Sequence, residues 1–154
     1  MIKVLFVCLG NICRSPMAEF IFKDMVKKKG LSKAISVSSA ATSSSTMGMD
    51  MHEEAKIKLT ENEITYNKHK AKKLLKEDYQ KYDYIIGMDN SNIENIMYIV
   101  KENPNNKVYK LLDFTNEKGE VADPWYTGNF TKAYNDIERG CKELLKSIIE
   151  NCNL

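Results

Sequence analysis

A thiol, Cys8, and a guanidinium, Arg14, stand with five residues between them in the run Cys8-Leu9-Gly10-Asn11-Ile12-Cys13-Arg14-Ser15. These residue types at this spacing suit the capture of a tetrahedral oxyanion. The backbone amides of a tight loop that leads into a helix form a concave nest of donors, and the helix dipole adds about half a positive charge. Gly10 lets the loop curl, and Arg14 offers a planar fork to two oxygens of one phosphoryl group. The same positive surroundings favour the thiolate of Cys8, which is the nucleophilic form. Attack on phosphorus would give a phosphocysteine, and Ser15 is placed to donate to the sulfur as it leaves. The alternative reading, a buried small hydrophobe beside an ordinary Gly-Asn turn, leaves the choice of Arg unexplained in a chain that otherwise uses Lys and has one other Arg, Arg139.

The elements that must position this loop are legible from hydrophobic period. Ile2 to Val7 is apolar at every position but Lys3, as in a strand buried on both faces. After the loop, Ser15 reads as a cap, Pro16 as the first helical residue, and Met17, Phe20, Ile21 and Met25 recur at helical spacing until Gly30. A second strand is expected at Ile35–Ser39, followed by a loop at Ala40–Thr46 too rich in serine to be core. A helix started by Asp50 should bury Ala55, Ile57 and Leu59. Further expectations are a strand at Tyr84–Met88, a helix capped by Ser91, a strand at Lys107–Tyr109, and a last helix at Phe130–Ile149 with Ala133, Ile137, Cys141, Leu144, Leu145 and Ile148 on one stripe. Strands alternating with helices imply right-handed βαβ units and one parallel sheet, whose ligands sit beyond the carboxyl ends of the strands. The loop that begins at Cys8 lies there.

Composition narrows the function classes. At 154 residues the chain is expected to be a single domain spanning 1–154, with neither an internal repeat nor a linker. Hydrophobic residues make up 43% and charged residues 29%, as in a water-soluble globular chain. A net charge of +2 is too mild to imply nucleic-acid binding, and the run Lys68-His69-Lys70-Ala71-Lys72-Lys73 reads as a solvated face that can attract anionic substrates. The apolar stretch Val4–Leu9 is too short for a membrane span and lacks a cleavage site. Four cysteines, two near each end, form neither a disulfide framework nor zinc spacing, and there are only two histidines. A reducing, cytoplasmic setting without metal or cofactor is expected.

The segment Val7-Cys8-Leu9-Gly10-Asn11-Ile12-Cys13-Arg14-Ser15-Pro16-Met17-Ala18-Glu19 resembles the active-site segment of the low-molecular-weight protein tyrosine phosphatases, beyond the bare Cys-x5-Arg pattern. The resemblance implies an α/β fold with a four-stranded parallel sheet and helices on both faces. It also implies hydrolysis of phosphotyrosine and aryl phosphates, with phosphotyrosyl proteins as substrates and inorganic phosphate or other oxyanions as inhibitors. A monomer is expected.

An aryl leaving group needs a proton, hence a carboxylic acid from elsewhere in the chain. Asp-Pro alone is a common turn dipeptide. Ala122-Asp123-Pro124-Trp125-Tyr126, however, follows the fourth strand and resembles the family's Asp-Pro-Tyr-Tyr loop, which makes Asp123 the implied general acid. Trp125 and Tyr126 would wall the cleft, with Trp125 standing where Tyr is usual. By the same resemblance Asn11, Ser15, Ser39 and His69 form the network that holds the loop, Ser45 replaces a bulky cleft-wall residue, and Asp89 is structural. Cys13 either packs against the first helix or, on oxidation, forms a disulfide with Cys8; a second thiol in the loop favours the latter. Two rivals share the fold. Arsenate reductase needs further cysteines near the third strand, and Tyr79–Val100 has none. Protein arginine phosphatases tend to carry Thr where this chain has Ile12.

Overall fold

The computed structural model describes residues 1–154. Four strands, β1 (Ile2–Cys8), β2 (Ile35–Ala41), β3 (Tyr84–Gly87) and β4 (Val108–Lys110), form one sheet in the order β2-β1-β3-β4. All three pairings are parallel. Successive strands therefore fall on opposite sides of β1, and the chain reverses direction across the sheet at the β1/β3 junction. A crevice opens at such a switch point, beyond the strand carboxyl ends.

Side chains alternate across β1, and each set meets its own helices. Val4, Phe6 and Cys8 join the larger apolar cluster, which includes residues of α1 (Arg14–Lys28), α2 (Glu53–Glu61) and α6 (Phe130–Cys152). Phe6 meets Phe22 of α1 edge to face, with ring centroids 5.5 Å apart. Leu5 and Val7 pack on the other face with Tyr79 of α3 (Asp78–Lys81) and with Ile96 and Val100 of α4 (Asn90–Val100). A short helix, α5 (Pro124–Thr127), leads into α6. The sheet is thus covered on both faces, and the α6 stripe read from the sequence is buried throughout.

Several element starts differ from the sequence reading, each for a local polar reason. Helix α1 begins at Arg14 with Cys13 at the cap position and no side-chain cap, so Ser15 lies inside the helix and spends its hydroxyl on the loop. Pro16 is therefore the third helical residue, where its missing N–H would have had no intrahelical partner anyway. Strand β2 runs two residues further than expected, and Ala40 and Ala41 are buried; small side chains there let Lys72 and Leu74 pair with the backbone of Ala41. Helix α2 is capped by His52, whose Nδ1 accepts the Glu54 N–H, rather than by Asp50; Ile57 is exposed. Asp89, not Ser91, caps α4, in a reciprocal box with Asn92. No helix is long and apolar enough to cross a membrane.

Candidate active site

The loop from Cys8 to Arg14 leaves the carboxyl end of β1 and turns at once into α1. Asn11 makes the turn possible. It holds a left-handed backbone (φ 56°), and its N–H donates to Cys8 Sγ at 3.3 Å. Asn has a lower cost in that region than other residues with a Cβ.

Asn11 is wholly buried and its side chain is fully used. Its Nδ2 donates to Ser15 Oγ (2.7 Å) and Ser39 Oγ (2.9 Å), and its Oδ1 accepts from the Lys72 N–H (3.2 Å). The Asn11 carbonyl lies 2.7 Å from His69 Nε2. All four members of the expected network are therefore brought together. The Lys-rich stretch is not a uniformly solvated face: it alternates, with His69 and Ala71 turned inward and Lys68, Lys70 and Lys72 outward.

Two further carboxylates anchor this network. Glu19 accepts the Ser39 hydroxyl (2.6 Å), and Asp50 accepts the His69 N–H (3.2 Å). Cys8 Sγ donates to Ser15 Oγ at 3.1 Å, and once the thiol is ionised the hydroxyl, which also accepts from Asn11, can turn its own proton to the sulfur. Thr46 closes the opposite side by donating to the Gly10 carbonyl at 2.6 Å. Nothing in the sequence assigns Glu19, Thr46 or Asp50 to the site, and Asp50 reads there only as a helix start. Glu19 could have been found, because it follows Ser15 by four residues and so shares its helix face.

Arg14 is held from two directions. Its Nη1 donates to Asp89 Oδ2 at 2.6 Å and to the Val121 carbonyl at 2.8 Å, while Nη2 donates to Asp123 Oδ2 at 3.3 Å. Only 2% of the side chain is exposed. Burial works against its charge, but Cys8, Asp89 and Asp123 outweigh that and hold the guanidinium above its ordinary range. Asp89 is therefore both helix cap and partner of Arg14. The turn from β3 into α4 is closely packed: a Cβ on Gly87 would lie 2.8 Å from Ile93 Cδ1 and 3.2 Å from Asn92 Cβ.

Asp123 reaches the crevice from the other end of the sheet edge. Its Oδ1 caps α5 by accepting the Trp125 N–H at 3.1 Å, which leaves Oδ2 turned to Arg14. Beside Cys8 and Arg14 lies a cavity of about 250 Å³, lined also by Leu9, Gly10, Ile12, Cys13, Ser45, Thr46, Met49, Asp123, Trp125 and Tyr126. Trp125 and Tyr126 stand 61% and 76% exposed at its mouth. Cys8 and Cys13 are both free thiols. Burial pushes the Cys13 thiol up to about 12, and the charges of Cys8 and Asp123 add to that. Ser39 and His69 support the loop from behind rather than line the cavity. No group of three or more His, Cys, Asp or Glu side chains is arranged to hold a metal ion.

Comparison with known proteins agrees with this geometry. Residues 3–154 match the family model described as low molecular weight phosphotyrosine protein phosphatase. The chain is 41% identical over 150 residues to the Bacillus subtilis low molecular weight protein-tyrosine-phosphatase YfkJ, covering 96% of each chain. The YfkJ crystal structure superposes with a TM-score of 0.95 over 98% of this chain and 96% of that one. PtpA of Staphylococcus aureus, of the same description, is 40% identical over 157 residues, covering 100% of this chain and 98% of PtpA. A drosophila arginine phosphatase is a more distant neighbour, 31% identical with a TM-score of 0.85, covering 95% of this chain and 97% of its own. On the family match along nearly the whole length and on these relatives, the chain belongs to the low molecular weight phosphotyrosine protein phosphatases, a family of phosphoric monoester hydrolases.

Proposed function

We propose that this chain hydrolyses phosphotyrosine and aryl phosphates in phosphoproteins through a phosphocysteine on Cys8, as one phosphatase domain spanning 1–154. The observation that carries the reading is the convergence of three segments on one guanidinium. Arg14 leaves the same loop as Cys8 and bonds Asp89 beyond β3 and Asp123 before α5.

In the first step the Cys8 thiolate attacks phosphorus, the P–O bond to the phenol breaks, and protonated Asp123 gives its proton to the leaving oxygen. Arg14 and the amides of residues 9–15 stabilise the equatorial oxygens, on which charge accumulates. In the second step Asp123, now a carboxylate, takes a proton from water as the water attacks phosphorus. The P–S bond breaks, and the Ser15 hydroxyl stabilises the departing thiolate. The network of Asn11, Ser39 and His69 acts earlier, by holding the left-handed turn before substrate arrives.

Ile12, Trp125 and Tyr126 give the cleft an apolar wall suited to an aromatic ring, with Ser45 leaving the entrance wide. Phosphotyrosine is favoured over phosphoarginine because an aliphatic side chain at position 12 offers no partner to a guanidino group. Arsenate reduction is disfavoured by the lack of cysteine from Tyr79 to Val100. We read Cys13 as a resolving thiol. After a peroxide converts Cys8 to the sulfenic acid, Cys13 attacks its sulfur, water leaves, and the disulfide protects the nucleophile. A cytoplasmic monomer inhibited by phosphate and other oxyanions completes the reading.

The test is phosphate release from an aryl phosphate and from phosphotyrosyl and phosphoarginyl peptides, under reducing conditions, by the native chain, Cys8→Ser and Asp123→Asn. Multiple turnover on the aryl substrates, abolished by Cys8→Ser and lowered roughly 10²–10⁴-fold by Asp123→Asn, is expected. Turnover confined to phosphoarginine would replace the substrate assignment, and none on any substrate would sink the reading.

A further inference from the structure

His52 stands outside the cavity lining, yet it touches both the phosphate-binding loop and the segment that follows Asp123. Its backbone N–H donates to the Ile12 carbonyl of the phosphate-binding loop at 2.8 Å. Its Nδ1 accepts the Glu54 N–H at 3.1 Å, which caps α2 and leaves the ring proton on Nε2. The imidazole stacks on Phe130, the first residue of α6, with centroids 5.0 Å apart and planes inclined by 25°. It also meets the edge of Trp125 at 5.7 Å and 89°.

Trp125 and Phe130 bracket the short segment that follows Asp123. Apart from Pro124 and Phe130 that segment is exposed, as is Trp125 itself over most of its surface. Its own backbone bonds, from the Tyr126 and Thr127 N–H groups to the Asp123 carbonyl and from the Gly128 N–H to the Pro124 carbonyl, shape the turn, and the contacts of Trp125 and Phe130 with His52 tie that turn to the neighbouring loop. Asp123 depends on it directly, since Oδ1 is held by the Trp125 N–H and that bond turns Oδ2 toward Arg14. A shift of the turn that carries the Trp125 N–H with it therefore rotates the carboxyl group away from the reacting centre, and a misplacement of about 1 Å can cost on the order of 100-fold in rate.

We infer that His52 is a positioning residue whose ring seats Trp125 and Phe130, thereby aiming the Asp123 carboxyl at the crevice in register with the loop that carries Cys8. The inference rests on Asp123 being the general acid. Its backbone bond to Ile12 gives the seat a fixed reference in the very loop that bears the nucleophile. The seat is built from this chain's own Trp125, and it accounts for a ring at a cap position where a short side chain would serve the helix at least as well.

Two substitutions separate the ring from the cap. His52→Asn keeps a good N-cap and removes the ring; His52→Phe keeps a ring and removes the acceptor. Trp125 is the only tryptophan, so its emission and anisotropy report on the seat without reference to catalysis. For His52→Asn the expected result is a more mobile Trp125 and a folding midpoint close to native. Its kcat/KM should fall about tenfold for a phenyl phosphate with a basic leaving group and less than about twofold for a dinitrophenyl phosphate, which needs no acid to leave. His52→Phe should keep the native leaving-group profile while melting earlier.

An unchanged Trp125 signal or an unchanged leaving-group profile in His52→Asn overturns the assignment. So does an equal loss on both substrates, or a His52→Phe that behaves like His52→Asn. Failure of the native protein to turn over any aryl phosphate defeats the phosphatase reading itself, whereas normal native turnover with a flat His52→Asn response defeats the seat alone.

Discussion

The Arg14 guanidinium and the Asp89 carboxylate meet at 2.6 Å, and the second oxygen of that carboxylate caps α4 through the Asn92 N–H at 2.7 Å. One side chain thus ties the phosphate-binding loop to the helix beyond β3. Asp89→Asn separates the two duties, because asparagine caps as well as aspartate but turns an NH₂ group toward the guanidinium. The substitution should cost about 1.5–3 kcal/mol in urea unfolding, the range for a charge-assisted bond. It should also lower kcat/KM on an aryl phosphate by roughly 10–100-fold through misplaced Arg14. Steady-state kinetics and unfolding of the same preparation check both.

Asn11 combines a left-handed backbone with a fully bonded buried side chain. Asn11→Gly removes the bonds to Ser15, Ser39 and Lys72 but relieves the backbone, whereas Asn11→Ala removes the same bonds and keeps a Cβ in the disfavoured region. Both should be less stable than native, and Ala should fall below Gly by about 1–2 kcal/mol, the cost of that region for a residue with a Cβ. Paired chemical denaturation measures the difference. Phosphate affinity should drop in both variants, since neither holds the loop from behind.

The Cys13 thiol predicts an alkaline limit to stability. Its folded value, about 12, lies above the ordinary thiol value of about 8.5, so the unfolded chain loses this proton first as pH rises. Stability from this group is therefore complete below about pH 8.5 and is lost progressively toward pH 12. Cys13→Ala should flatten the fall of unfolding free energy between about pH 8.5 and 10.5, by up to about 1.4 kcal/mol per pH unit. Cys141 and Tyr134, both raised by burial, stay in both proteins and contribute to the slope that remains. Urea titrations at a series of pH values provide the check.

Gly140 on α6 faces Leu111, and a Cβ there would lie 2.5 Å from Leu111 Cγ and 3.0 Å from each of its terminal carbons. Leu111 is wholly buried, so it has nowhere to retreat. Gly140→Ala should therefore destabilise by about 1–3 kcal/mol despite the higher helix propensity of alanine. The activity of the folded fraction should stay native. Thermal melts read against turnover per folded molecule distinguish this from damage to the site.

The elements were legible wherever burial imposed a period. β1 is apolar on both faces because helices cover both, and the α6 stripe repeats because one side of that helix packs on α1, α2 and the turn at Leu111–Phe114. Element starts were less legible, because several polar side chains compete for each orphan N–H and the winner depends on neighbours distant in sequence. Ser91 and Asp50 were reasonable caps; Asp89 and His52 took those places because Arg14 and the aromatic pair Trp125–Phe130 hold them there. The serine-rich composition favours a loop, yet Ala40 and Ala41 complete a strand because the segment after His69 pairs with it.

The sequence by itself determined the site's chemistry, since the Cys8-to-Ser15 run prescribes a loop, a nest of amides and a fork from local backbone preference and residue type alone. It also marked Asp123 as a carboxylate beyond the last strand. Only the tertiary structure decided which carboxylates meet Arg14, how Glu19 and Asp50 anchor the network, that Thr46 braces Gly10, and that His52 joins the loops. Those choices rest on distances between residues far apart in the chain, which are fixed by how helices pack on a twisted sheet and leave no periodic trace in sequence.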